Sequence, residues 1–183
     1  MKNLLKYSAT LLLLVLIIAS CRKEPEYSEV PEIEFSRVEQ YHYERFGVLI
    51  DSLHLVIGYR DGDGNLGLST EQNSSDMQPP FEPGSPYYNN FRVDLFRQNE
   101  QGQFVPYEFP VEGFTLSSRF PRISADDRNE PLEGEIKFKL EFSSDIFRPG
   151  DVIQFHVSIL DRTRPVPNIS NVAVSRPVTL FTE

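Results

Sequence analysis

Between Ser52 and Arg60 the apolar residues fall on every second position: Leu53, Leu55, Ile57 and Tyr59. This period-two pattern predicts a strand with one buried face. It returns in Glu135 to Phe142, through Ile136, Phe138, Leu140 and Phe142, and again through Ile153, Phe155, Val157 and Ile159. Ile33 to Val38 predicts a first strand. Phe91 to Gln98 and Gln103 to Phe109 flank Asn99-Glu100-Gln101-Gly102, which reads as a hairpin. Pro106 and Pro110 place the second strand of that hairpin at a sheet edge. Arg148-Pro149-Gly150-Asp151 reads as a turn. Asn171 to Phe181 closes the series with Val172, Val174, Val178 and Leu180, and its phase slips near Pro177. These spacings predict an all-β fold over residues 32–183: an immunoglobulin-like antiparallel β-sandwich of about seven strands.

The N-terminus follows another rule. Lys2 and Lys6 precede an apolar stretch from Ala9 to Ser20, unbroken from Leu11 to Ile18. A bilayer span needs roughly 20 such residues, whereas this length fits the core of an export signal. The stretch ends Ile18-Ala19-Ser20-Cys21, which resembles the bacterial lipobox. That resemblance implies cleavage between Ser20 and Cys21, a diacylglyceryl group on the Cys21 thiol and acylation of the new amine. Several chains together anchor a protein stably. Arg22, where inner-membrane lipoproteins often carry aspartate, implies the outer membrane. Lys23-Glu24 with Glu26 and Glu29 resembles the acidic surface-export signals of some lipoproteins. Residues 21–31 are charged, carry Pro25 and Pro31, and read as a tether reaching roughly 35 Å when extended.

The chain has 183 residues, so signal and tether leave about 150 for one domain. Cys21 is the only cysteine, so packing or a bound ion must stabilise the exported fold. The formal charge is −9, and loss of Lys2 and Lys6 with the signal makes it two units more negative. Such a charge disfavours nucleic acid and anionic membrane surfaces as partners. It suits divalent cations, although it also serves simple solubility.

The one local motif with chemistry is Asp61-Gly62-Asp63-Gly64-Asn65-Leu66-Gly67. Alternating oxygen side chains and glycines let a short loop wrap a hard cation. An EF-hand would require glycine and glutamate where this chain has Leu66 and Gln72. The stretch instead looks like the looser calcium loops of extracellular β-domains. The same residues are also ordinary turn formers. In an immunoglobulin-like sandwich, the second-to-third and sixth-to-seventh connections lie at one end. Asp161 ends the sixth strand, and Asn168 and Asn171 follow it. The connection 110–133 brings Asp126, Asp127 and Glu130 to the same end. The expected calcium ligands are Asp61, Asp63, Asn65 and Asp161. The first strand runs antiparallel to the second, so the tether should join at this end too, turning it towards the membrane.

Pro79 to Tyr88 forms a long aromatic loop, whose Phe81, Tyr87 and Tyr88 are expected to contact a partner such as an envelope protein or glycan. The alternative is that these rings pack over the end of the sandwich. Tyr41-His42-Tyr43 is a lesser candidate of the same kind. Asp51-Ser52-Leu53 matches a short O-glycosylation pattern. His42, His54 and His156 show no metal-ligand spacing. No Gly-x-Ser-x-Gly motif occurs, and the one cysteine is taken by lipid, so no catalytic residue is expected.

Several stretches recur together: Pro31-Glu32-Ile33-Glu34-Phe35, Tyr59 to Gly67, Pro131-Leu132-Glu133-Gly134-Glu135-Ile136, and Leu160-Asp161-Arg162 with Ser170-Asn171. Jointly they resemble a group of envelope lipoproteins built on one β-sandwich domain, over most of residues 31–175. The resemblance implies location and fold and carries no activity with it. The expected protein is thus an outer-membrane-anchored, non-catalytic binding or envelope-assembly module. The alternatives are a spacer lipoprotein without ligand and a small hydrolase working through loop carboxylates.

Overall fold

The computed structural model describes residues 25–124 and 128–182. The expected export signal, Cys21 and the acidic pair Asp126 and Asp127 lie outside these. The described chain is nearly all β, and none of its helices is long and apolar enough to cross a membrane. β1 (Glu32–Arg45), β2 (Val48–Asp61) and β5 (Leu132–Ser143) form one antiparallel sheet in the order β1-β2-β5. β3 (Phe91–Gln98), β4 (Phe104–Pro106), β6 (Val152–Ile159), β7 (Ala173–Val174) and β8 (Val178–Thr179) form the second. Its order is β4-β3-β6-β7, with β8 also pairing with β6. The chain passes between the sheets after β2, β4 and β5, as immunoglobulin-like connections require.

The core is what the alternation predicts. Leu53, Leu55 and Ile57 of β2 and Leu140 and Phe142 of β5 face Val93 and Leu95 of β3 and Ile153, Phe155, Val157 and Ile159 of β6. Phe91 meets Phe138 across the sheets with ring centroids 4.6 Å apart. The opposite face of β2 also buries Val56 and Ser52. Val56 lies between Arg37 and Lys137 in the ladder. The stems of such long side chains cover apolar surface while their heads pair in water. Lys137 binds Glu39 at 2.5 Å, and Arg37 binds Glu135 at 3.1 Å. Ser52 is therefore sealed in a central strand, which removes it as an accessible glycosylation site.

β1 is longer than its apolar residues suggest. A register shift between Phe35 and Arg37 changes the phase, so Val38 packs on the core and Gln40 reaches Asp51. Tyr41, His42 and Tyr43 are ladder residues of β1 and not a binding loop. At the far end of the chain, the expected last strand is reduced to β7 and β8, two residues each, on either side of Pro177.

The register fixes which loops share an end. Glu32 opens β1 opposite Arg60, one residue before the end of β2. Leu66 bridges to Asp161, just past β6. The N-terminal segment, the Asp61–Gly67 loop and the loop after β6 therefore meet at one end. The β1–β2 turn at Phe46-Gly47 marks the other.

Candidate cation site

Asp61 is the last residue of β2 and is wholly buried. Its Oδ2 accepts the Asn65 amide at 3.0 Å, an Asx-type closure that holds the loop curled. Asp63 Oδ2 accepts the Asn65 side-chain amide at 2.6 Å. The remaining oxygens, Asp61 Oδ1 and Asp63 Oδ1, are both buried and have no hydrogen-bond partner. A buried oxygen left without a donor is costly, and more so when it carries charge. Burial pushes the Asp61 carboxyl up to about 7, helped by the charge of Asp63. Burial also raises Asp63, with the charges of Asp161 and Glu29 acting in the same sense. Two adjacent carboxylates so placed call for a shared proton or a cation.

Three glycines make the loop possible, each by admitting another backbone. A Cβ on Gly62 would lie 2.4 Å from the Tyr27 carbonyl oxygen, and one on Gly64 would lie 2.3 Å from that of Glu130. One on Gly67 would lie 2.1 Å from that of Pro121. The loop is thus a hub touched by three other stretches of chain.

Asp161 is brought to the loop as expected, but its role differs. Its Oδ1 accepts the amides of Thr163 at 3.0 Å and Asn168 at 2.7 Å. Its Oδ2 accepts the Thr163 hydroxyl and the Asn168 side-chain amide, both at 2.8 Å. With four donors on two buried oxygens, Asp161 is a loop organiser with no lone pair to spare for an ion. Glu130 arrives by its backbone, and its carboxylate pairs with Arg128 at 3.3 Å on the surface. Asn171 bonds elsewhere, accepting from the Ile33 amide at 2.9 Å and donating to the Ile33 carbonyl at 2.8 Å.

Among the described residues no three histidine, cysteine, aspartate or glutamate side chains converge to hold a metal by themselves. The set left for an ion is smaller: Asp61 Oδ1 and Asp63 Oδ1. The Asn65 side-chain oxygen accepts the Arg162 amide at 3.4 Å, and its NH2 group faces Asp63. Calcium accepts such sets because carbonyl oxygens and water complete its six to eight ligands.

The aromatic loop is anchored, not presented. Phe81 is fully buried, with the Arg164 guanidinium 5.0 Å above its ring. Arg119 donates to the carbonyls of Ser69, Asp76, Phe81 and Tyr88, gathering the whole loop around one guanidinium. It also lies 4.9 Å from the Tyr88 ring centroid. Phe81 therefore serves packing and cannot meet a partner, while Tyr87 and Tyr88 are half-buried. Sequence reasoning missed Arg119 and the buried Asp76, which accepts two bonds from Arg122 at 2.6 and 2.9 Å. An isolated arginine in a loop carries no signal of what it will bind.

The chain matches no protein-family model, no curated protein and no solved structure.

Proposed function

We propose that the protein is a lipid-anchored, non-catalytic β-sandwich module of the cell envelope, tethered through Cys21, whose N-terminal end is organised by calcium. Its ion ligands are the carboxylates of Asp61 and Asp63, on the loop that Asn65 closes. The observation that carries the ion is the pair of buried, unpartnered oxygens on Asp61 and Asp63. The anchor rests on the Ile18-Ala19-Ser20-Cys21 sequence after an apolar export stretch. From there the outer membrane follows from Arg22, and a role in binding or assembly from a rigid domain held beside the membrane. Tyr87 and Tyr88, both half-buried, are the rings of the aromatic loop left to contact an envelope protein or glycan.

A second reading, a spacer without specific ligand, is favoured by the packing of Phe81 and by the hold of Arg119 on its loop. One experiment separates the cation from the bare turn. The mature protein and its Asp61→Ala, Asp63→Ala double variant are melted in EDTA and in millimolar calcium. A calcium-dependent rise in Tm that the variant loses supports the site. An equal Tm in both conditions for the wild type reduces the motif to a turn.

A further inference from the structure

We propose that calcium held by Asp61 and Asp63 locks the segment Tyr27–Glu29 onto the loop, so that the ion fixes how the sandwich stands on its tether. This rests on the cation site proposed above. Three contacts join the segment to the loop end. The Gly62 amide donates to the Ser28 carbonyl at 2.8 Å. The Asn168 side-chain amide spans Asp161 Oδ2 at 2.8 Å and the Glu29 carbonyl at 3.5 Å. The Tyr27 hydroxyl donates to Glu133 at 2.5 Å. The fit is close, because the missing Cβ of Gly62 is what admits the carbonyls of Tyr27 and Ser28.

Charge works against this docking. The segment carries Glu26 and Glu29 to a loop that carries Asp61 and Asp63, and the Glu29 charge acts on Asp63. The seam beneath Tyr27 is lined by Glu26, Glu32 and Glu133, with Arg60 opposing them. Hydrogen bonds, one of them to the Glu133 carboxylate, hold the Tyr27–Glu29 segment beside these charges. A divalent cation on the two free oxygens cancels the two aspartate charges, which removes their repulsion of Glu29. Because the coupling is reciprocal, whatever factor calcium adds to docking, docking adds to calcium affinity, so a variant that undocks the segment loses that factor.

The test uses the full mature chain in detergent. Calorimetry measures calcium affinity, and hydrogen exchange follows the Gly62 amide and residues 26–31 with EDTA and with calcium. Calcium is expected to slow exchange at these positions, with Asp63→Asn abolishing the effect. Tyr27→Phe, which removes a bond remote from the ion, is expected to weaken calcium binding roughly two- to ten-fold. Calcium binding with unchanged exchange, or with an affinity indifferent to Tyr27→Phe, overturns the lock and leaves the site standing. Absence of calcium binding overturns the site and the lock together.

Discussion

Two buried aspartates, Asp61 and Asp161, meet at one end of this sandwich and are used in opposite ways. Asp161 has every lone pair engaged, and its value to the fold is independent of any ion. Asp161→Ala strands two amides, a hydroxyl and the Asn168 side chain, at an expected cost of about 3–5 kcal/mol. Urea unfolding should show the same loss in EDTA and in calcium. A loss that calcium cancels would mean that Asp161 is a ligand after all. Asp61 is the reverse case. Its carboxyl sits at about 7 in the fold against an ordinary 3.8. A folded value above the unfolded one means that stability is full below about pH 4. It declines as pH rises to about 7, and no further beyond. The cation-free protein should therefore melt lower at pH 8 than at pH 5, and Asp61→Asn should flatten that slope. At pH 5 calcium must displace a proton, so its stabilising effect should grow towards pH 8. Melts at four pH values, in EDTA and in calcium, measure both. Equal slopes for wild type and Asp61→Asn would show that the carboxyl is not burdened in this way.

At the scale of elements, glycines with the same dihedral preference have different jobs. Gly64 and Gly84 both have positive φ, at 69° and 87°. A side chain on Gly84 meets open space, whereas one on Gly64 runs into the Glu130 backbone. Gly84→Ala should cost about 1 kcal/mol, the ordinary penalty for this conformation. Gly64→Ala should cost more than about 3 kcal/mol, because backbone cannot give way as a side-chain tip can. Comparable losses in urea would argue that the Glu130 segment is free to move. The β1–β2 turn offers the opposite sign. Phe46 has φ 54° and is 99% exposed, followed by Gly47 at 80°. Two successive positive φ values suit Asn-Gly, not Phe-Gly. Phe46→Asn should stabilise by about 0.5–1 kcal/mol, since it relieves the backbone and gives up no burial.

These elements also show what the sequence could and could not reveal. β3 and the core faces of β2, β5 and β6 are legible because one buried face forces the period-two pattern. β1 beyond Val38 is not, because its register shift changes the phase and the residues on its core side, Gln40 and His42, are polar. The acidic loop is legible as a motif. What its glycines admit depends on residues 27–28, 121 and 130, which no local pattern records. Asp161 is legible as a neighbour of that loop, but its saturation by Thr163 and Asn168 is a matter of geometry. Phe81 misleads for a simple reason: proline-rich loops are usually exposed, and this one is gathered under Arg119.

Over the whole molecule, the weakest flank is the one closed by β7 and β8, with two residues each. Side-chain bonds to the first sheet make up for those short ladders. Asn171 is bonded to both backbone groups of Ile33 at one end. At the other, buried Asp51 of β2 accepts the Phe181 amide at 2.8 Å and the Gln40 side chain at 2.7 Å. Gln40 in turn donates to the Thr179 carbonyl at 2.9 Å, and His42 Nδ1 stands 3.2 Å from the second Asp51 oxygen. One carboxylate thus ties β1, β2 and the C-terminal segment together across the gap between the sheets. Asp51→Ala leaves the half-buried Phe181 amide without an acceptor and one of the two Gln40 side-chain N–H groups unpaired, at an expected cost of about 2–4 kcal/mol. The loss should be local before it is global. The segment keeps its backbone bonds, Leu180 to Asp151 at 2.8 Å and Gly150 to Leu180 at 2.9 Å. Hydrogen exchange at Phe181 should rise by at least ten-fold, while amides in the centres of β2 and β6 should follow only the fall in global stability. If Phe181 exchanges no faster than those central amides, the two-residue strands hold the flank by themselves and Asp51 is not the clamp.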